Sequence, residues 1–211
     1  MAAAIVVGCG TKADNNKQTE AVPAIKSPDQ DPVAYRYPIR NKDNKLVTLE
    51  TNFGKMTLEL YHDVAPAHAD SFVARVNDGF YDSTIFHRVI AGFMIQGGDP
   101  TGTGTGNAGY TLPAEFSSLP HIEGTLSMAR GPDRNSASCQ FFICLGRAAH
   151  LDGQYTVFGH LIKGYDVLRA IGKVETVMDR WGREKSAPKE PVVLIHAYLS
   201  DAEGNPITPA G

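Results

Sequence analysis

The chain has no excess of basic residues. Its 20 Lys and Arg stand against 23 Asp and Glu, a net charge of −3. That balance removes the cationic surface a phosphate backbone needs, so no nucleic-acid partner is expected. Cysteine is scarce: Cys9, Cys139 and Cys144 are odd in number and irregular in spacing, which argues against a disulfide framework. Cys139 and Cys144 are five apart on a predicted strand, face opposite sides and read as small buried hydrophobes. No segment is long and apolar enough to span a membrane. The seven histidines include no H-x-x-x-H pair, so neither metal nor other cofactor is expected. The run Pro100-Thr-Gly-Thr-Gly-Thr-Gly-Asn-Ala-Gly109 lacks the Lys-Ser/Thr and the strand–loop–helix setting of a phosphate loop. It reads as a surface loop whose glycines let the backbone come close to a groove. Internal repeats and a βαβ rhythm are also absent.

What is there is a chain of 211 residues with 42% hydrophobic residues, enough for one core with tails. Its 21 glycines and 13 prolines favour many turns and a mainly β fold. Residues 1–10 are small and apolar. Residues 11–45 are polar, carry Pro23, Pro28, Pro32 and Pro38, and show no periodicity, so 1–45 reads as a start followed by a flexible linker. Residues 46–201 form the folded domain, and 202–211 a C-terminal tail. Alternation in Leu46–Glu50 and Met56–Leu60 around Thr51-Asn-Phe-Gly54 predicts a hairpin. Ala69, Phe72, Val73 and Val76 share a helical face entered at Pro66 and stopped at Gly79. A second short helix is predicted near Asp166–Ile171. Further strands are predicted at 85–90, 93–96, 124–129, 140–145, 156–161 and 192–199. Many short strands with two helices argue for an antiparallel sheet closed on itself. Val174–Glu190 holds the only tryptophan, Trp181, reads as a loop and has no legible role.

One cation stands in an apolar setting: Arg88, in Ile85-Phe-His-Arg-Val-Ile-Ala-Gly-Phe-Met-Ile-Gln-Gly-Gly-Asp99. If this is a strand, Phe86, Arg88 and Ile90 share a face. A guanidinium there must snorkel to solvent, pair with a structural carboxylate, or serve chemistry. The run resembles the first signature of the cyclophilin-type peptidyl-prolyl isomerases. Leu126-Ser-Met-Ala-Arg-Gly-Pro-Asp-Arg-Asn-Ser-Ala-Ser-Cys-Gln-Phe-Phe-Ile143 and His150-Leu-Asp-Gly-Gln-Tyr-Thr-Val-Phe-Gly159 resemble the second and third, in family order. The resemblance runs from about Leu46 to Ser200 and implies a closed eight-stranded antiparallel β-barrel capped by two α-helices.

It also implies a chemistry, rotation about X–Pro bonds of polypeptide segments. The barrier of ~18–20 kcal/mol comes from lost amide resonance, and no covalent step is needed. Arg88 matches the catalytic arginine, a donor to the lone pair that the proline nitrogen regains in the twisted amide. Phe93, Met94, Phe142 and Leu151 match the proline pocket. Gln96 matches the glutamine that binds a substrate carbonyl and orients the arginine. Ala129 and Arg130 match the segment whose backbone pairs with the residue before proline, and Gln140 another groove-lining glutamine. His150, Tyr155 and Arg130 depart from the familiar eukaryotic pattern of tryptophan, histidine and asparagine. The first departure predicts weak cyclosporin binding. A proline-peptide-binding chaperone module without catalysis is the alternative function, although a pure binder would not need Arg88. No surface demands a partner subunit, so a monomer is expected. Val6-Val7-Gly8-Cys9 resembles a bacterial lipobox, which implies lipidation at Cys9, a tether of residues 11–45 and a place in the cell envelope; a cytoplasmic location is the alternative.

Overall fold

The structure, a computed structural model, describes residues 39–207. Cys9 and the lipobox-like segment lie outside the described residues. The elements are β1 (Leu46–Thr51), β2 (Gly54–Leu60), α1 (Pro66–Asn77), β3 (Thr84–Ile85), β4 (Arg88–Ile90), β5 (Met94–Gly97), β6 (Thr125–Met128), β7 (Phe141–Cys144), β8 (Val157–Lys163), α2 (Tyr165–Ile171), β9 (Thr176–Met178), β10 (Lys185–Pro188) and β11 (Val193–Ser200).

The expected hairpin forms, with Thr51 paired to Gly54 across the two-residue turn Asn52-Phe53. Gly54 takes φ +127°, a conformation that side chains rarely adopt. Helix α1 starts at Pro66, whose missing N–H costs nothing at a helix start. Ala65 offers no capping side chain. The Glu115 carboxylate, from a distant loop, instead accepts from the N–H groups of Ala67 and His68, each at 3.1 Å. The buried face of α1 is Ala69, Phe72, Val73 and Val76, joined by His68. Helix α2 buries Val167, Leu168 and Ile171 as predicted, and Tyr165 besides.

Phe72 meets Phe141 edge-on with ring centres 5.3 Å apart, and Phe86 meets Phe141 at 6.0 Å. Leu49, Met56, Leu58, Leu126 and Phe158 complete this core between α1 and the sheet. Full burial of such a side chain contributes about 1.5–3 kcal/mol.

The sheet is not the closed eight-stranded barrel expected. It is a nine-stranded half-barrel in the order β3-β11-β1-β2-β8-β6-β7-β5-β4, with antiparallel neighbours, and its ladder ends at β3 and β4. The reason is local. The run 85–90, expected as one strand, breaks at Phe86-His87: β3 pairs with β11 and β4 with β5. The break also resets the alternation of faces. Phe86 and Val89 both enter the main core, whereas Ile90 packs on a second cluster and Arg88 lines a groove beside it. Phe86 and Arg88 therefore do not share a face. Segment 174–190 is a second, two-stranded sheet of β9 and β10 rather than a plain loop.

Both ends of the described chain are tied down. Fully buried Glu59 accepts from the N–H groups of Arg40 and Asn41, each at 2.9 Å, and from the Asn44 amide at 2.8 Å. After β11, the chain folds back so that Pro206 bridges to Ser200 and the Gly204 carbonyl accepts from the Tyr198 hydroxyl at 3.2 Å.

Candidate functional site

The groove runs along β4, β5 and β7. Register sets Arg88 opposite Gln96 and Gln96 opposite Phe142, so three side chains named by the sequence come together through strand pairing alone. A cavity of about 150 Å³ is lined by Arg88, Phe93, Met94, Gln96, Ala129, Arg130, Phe142, Leu151 and Tyr155. Of the predicted residues, Gln140 and His150 stand beside it rather than in it. Gln140 lines an adjoining hollow of about 320 Å³ with Gln96, Ala129, Arg130 and the loop Gly104–Asn107. His150 is exposed, and its ring meets that of Phe93 at a tilt, with centres 5.5 Å apart.

The apolar wall is a cluster of its own, separate from the main core: Met94, Phe142, Cys144, Ala148 and Leu151, with Ile90, Phe93, Ala129 and Tyr155 packed on it. A short 3₁₀ turn, Ala149–Leu151, delivers Leu151. Tyr155 meets Phe142 edge-on at 5.9 Å, and the Arg130 guanidinium lies over the Tyr155 ring at 4.6 Å. Arg130 also donates to the Gln154 carbonyl from Nε at 3.2 Å and Nη2 at 3.0 Å, so its side chain holds the rim. The Ala129 N–H donates to the Gln140 carbonyl at 2.9 Å. Cys144 is buried within this wall and Cys139, which lies just before β7 rather than on the same strand, in the main core. Burial pushes their thiols up to about 12 and about 11, which leaves both protonated and inert.

Behind Phe142 lies a support the sequence did not single out. The fully buried His121 ring stacks on Phe142 at 6.0 Å and 14°. Its Nε2 sits 3.0 Å from the Ser127 hydroxyl and its Nδ1 3.1 Å from Asp152. Burial lowers the His121 pKa, against the partial pull of Asp152. The Arg147 guanidinium, bonded to Asp152, is the main cause that holds the Asp152 carboxyl far below its ordinary range.

The polar wall is a chain of hydrogen bonds. Gln96 donates to the Gln140 side-chain oxygen at 3.0 Å, and Gln140 donates on to the carbonyls of Gly106 at 2.8 Å and Gly104 at 3.2 Å. That glycine loop wraps the buried Asp99 carboxylate. Asp99 accepts from the N–H groups of Thr101 at 2.7 Å, Gly104 at 2.6 Å and Gly106 at 3.0 Å, and from the Thr101 hydroxyl at 2.8 Å. Burial raises the Asp99 pKa, but these four bonds outweigh it and hold the carboxyl below its ordinary value. A Cβ at Gly106 would collide with Asp99, so the glycines there serve a carboxylate as well as the groove.

Arg88 faces Gln96 with Nη1 at 3.4 Å from Oε1, and Met94 sulfur at 4.0 Å. Its other edge is held by a residue the sequence left without a role. Glu184 accepts from Nε at 2.7 Å and from Nη2 at 3.1 Å. The pairing with a structural carboxylate, one of the three readings open for a lone arginine, is thus realised within the groove itself. Beyond this pair is a hollow of about 490 Å³ between His87, Arg88, the loop Gly102–Gly104 and the β9–β10 turn, including Trp181. Among the described residues no group of three or more His, Cys, Asp or Glu could hold a metal ion.

A model of the cyclophilin type peptidyl-prolyl cis-trans isomerases matches residues 46–199, and the chain belongs to this family. A peptidyl-prolyl cis-trans isomerase of Synechococcus elongatus is 51% identical over 111 residues, 53% of this chain and 76% of that one. One from Acinetobacter baylyi is 40% identical over 163 residues, 74% of this chain and 86% of that one. The crystal structure of a cyclophilin type isomerase from Cryptosporidium parvum, in the presence of the dipeptide Ala-Pro, superimposes with a TM-score of 0.68 at 32% identity. It covers 74% of this chain and 99% of that one.

Proposed function

We propose that this peptidyl-prolyl cis-trans isomerase works by holding a proline against the apolar wall and donating a hydrogen bond from Arg88 to the twisting amide. The carrying observation is that Arg88 lines the same cavity of about 150 Å³ as Phe93, Met94, Phe142 and Leu151. A cavity of that size suits a proline ring.

Isomerisation moves no proton and breaks no bond. The planar amide nitrogen shares its lone pair with the carbonyl and is a poor acceptor; the twisted nitrogen holds the pair alone. A fixed N–H aimed at that nitrogen binds the twisted form better, which is what lowers a barrier. An arginine keeps its charge at any physiological pH, so the donor is always loaded. In this reading Gln96 takes a substrate carbonyl and steers Arg88, Ala129 and Arg130 present backbone to the residue before proline, and Gln140, His150 and Tyr155 bound the groove. Proline-containing segments of unfolded or extended chains are the partners, with assisted folding as the outcome.

A protease-coupled assay on a proline tetrapeptide tests the reading. Isomerisation well above the uncatalysed rate, lowered roughly 10²–10³-fold in Arg88→Ala, is the expected result. A chain that binds proline peptides without accelerating them would instead be a non-catalytic chaperone module.

The same proposal extends to setting. His150 offers less apolar area than an indole, which supports weak cyclosporin binding. Val6-Val7-Gly8-Cys9 supports a lipid anchor at Cys9, and because Arg40, Asn41 and Asn44 are tied to Glu59, the tether is shorter than the 11–45 expected, with a reach of about 30 Å. Cell fractionation with Cys9→Ser tests it: loss from the membrane fraction is expected, with isomerase activity intact.

A further inference from the structure

The β9–β10 hairpin belongs to none of the groove strands, yet its turn supplies the carboxylate that grips Arg88. We propose that Glu184 is a positioning residue for isomerisation: it fixes the Nε–Nη2 edge of Arg88 so that Nη1 is presented to the substrate amide. This rests on the role of Arg88 proposed above.

The geometry favours orientation over stability. The two bonds, 2.7 Å and 3.1 Å, form a fork that fixes the guanidinium plane as well as its place. Nη1 is left with long partners, Gln96 at 3.4 Å and Met94 at 4.0 Å, so it is the donor with most capacity to spare. Glu184 is itself held by its turn. Asp179 accepts from the N–H groups of Trp181 at 3.1 Å and Arg183 at 2.7 Å, and the Asp179 N–H donates to the Glu184 carbonyl at 2.7 Å. The pair is partly exposed, with side-chain accessibilities of 34% and 40%. Ion pairs of that kind contribute little to stability, so its effect should fall on rate. Neutralising the guanidinium does not defeat the chemistry, because the twisting amide develops a lone pair and not an ion. An unanchored Arg88, by contrast, could swing towards the hollow beside Trp181 and spend much of its time off target.

The test measures kcat and KM on a proline tetrapeptide, with thermal melting, for wild type, Glu184→Ala, Glu184→Gln, Arg88→Ala and the double variant Arg88→Ala/Glu184→Ala. Glu184→Ala should lower kcat about 10-fold, less than the ~10²-fold that a 1 Å misplacement can cost. KM should stay within about twofold and Tm within about 2 °C, as for an exposed pair. Glu184→Gln keeps one acceptor and should fall between. The double variant should be no slower than Arg88→Ala alone. Wild-type kcat in Glu184→Ala, with Arg88→Ala slow, would overturn the positioning role and leave that of Arg88 standing. Wild-type rate in Arg88→Ala would overturn the underlying reading. A double variant slower than Arg88→Ala would mean Glu184 acts without Arg88, and would also overturn the proposal.

Discussion

On one side of the groove stands a wall of Met94, Phe142, Cys144, Ala148 and Leu151; on the other a relay of hydrogen bonds runs from Glu184 through Arg88, Gln96 and Gln140 to the loop around Asp99. The first is held by area. Its members come from β5, β7 and the turn that follows, and each touches several others, so the loss of one is felt as a local void. The second is held by direction. Its links are one or two hydrogen bonds each, between residues as much as 96 positions apart, and a lost link frees the neighbour to turn. A rotamase needs both, because a snug pocket without a fixed donor binds proline in either state equally well.

The comparison can be broken at five points, in order of expected effect. Arg88→Ala should lower kcat/KM by roughly 10²–10³, or about 3–4 kcal/mol, with little change in melting temperature. Unchanged turnover in a folded Arg88→Ala protein would remove the polar wall from the chemistry. Phe142→Ala should do the reverse. It removes a ring packed between His121 and Tyr155, at a cost of about 3 kcal/mol in urea unfolding, and raises KM more than it lowers kcat.

Acid should separate the walls again. Burial lowers the pKa of His121 behind the apolar wall, and that of His160 to about 4. A histidine depressed in the fold binds its proton more readily when unfolded. The stability it lends is therefore complete above its ordinary value near 6.5 and is lost as pH falls towards 4. His160 alone accounts for at most about 3 kcal/mol of that loss. The groove wall holds no histidine that the rate depends on, and the Arg88 pairing holds the Glu184 carboxyl below its ordinary value, so kcat measured while the protein is still folded should stay flat over most of the same window. Urea melts and rates from pH 7.5 to 4 read both.

Asp99→Ala leaves three N–H groups and a hydroxyl without their acceptor, which should cost about 2 kcal/mol and loosen Gln140 and then Gln96. Unchanged stability and rate would show that the loop holds itself. Smallest is His150→Trp at the outer rim, which should tighten cyclosporin inhibition by about 1 kcal/mol through added apolar area. No change in inhibition would exclude this position as a determinant.

The two walls also differ in how far they could be read in advance. Met94, Gln96 and Phe142 lie on the paired strands β5 and β7, and Phe93 in the turn just before β5, so local pattern and signature carried them to one place. The two helices and the first hairpin were legible for the same reason. Glu184 was not, because nothing in Arg183-Glu-Lys185 refers to Arg88, and β9 has no buried face to announce a strand. Asp99 was visible only as a residue before a glycine run; that the run exists to wrap its carboxylate is a fact of three dimensions. The expectation of one unbroken strand at 85–90 failed because period-two alternation says nothing about a change of partner midway, and the closed barrel failed with it.

That break has a consequence for how the molecule survives its surroundings. The ladder ends at a strand of two residues and a strand of three, separated only by Phe86 and His87. Sheet edges are where foreign chains add on, and long flat ones seed aggregates. Here both edges are too short to template a partner, and β10 packs against one of them. An isomerase of X–Pro bonds takes polypeptide backbone as its substrate. Its groove invites such a segment, while its sheet margins give the same segment almost nothing to join.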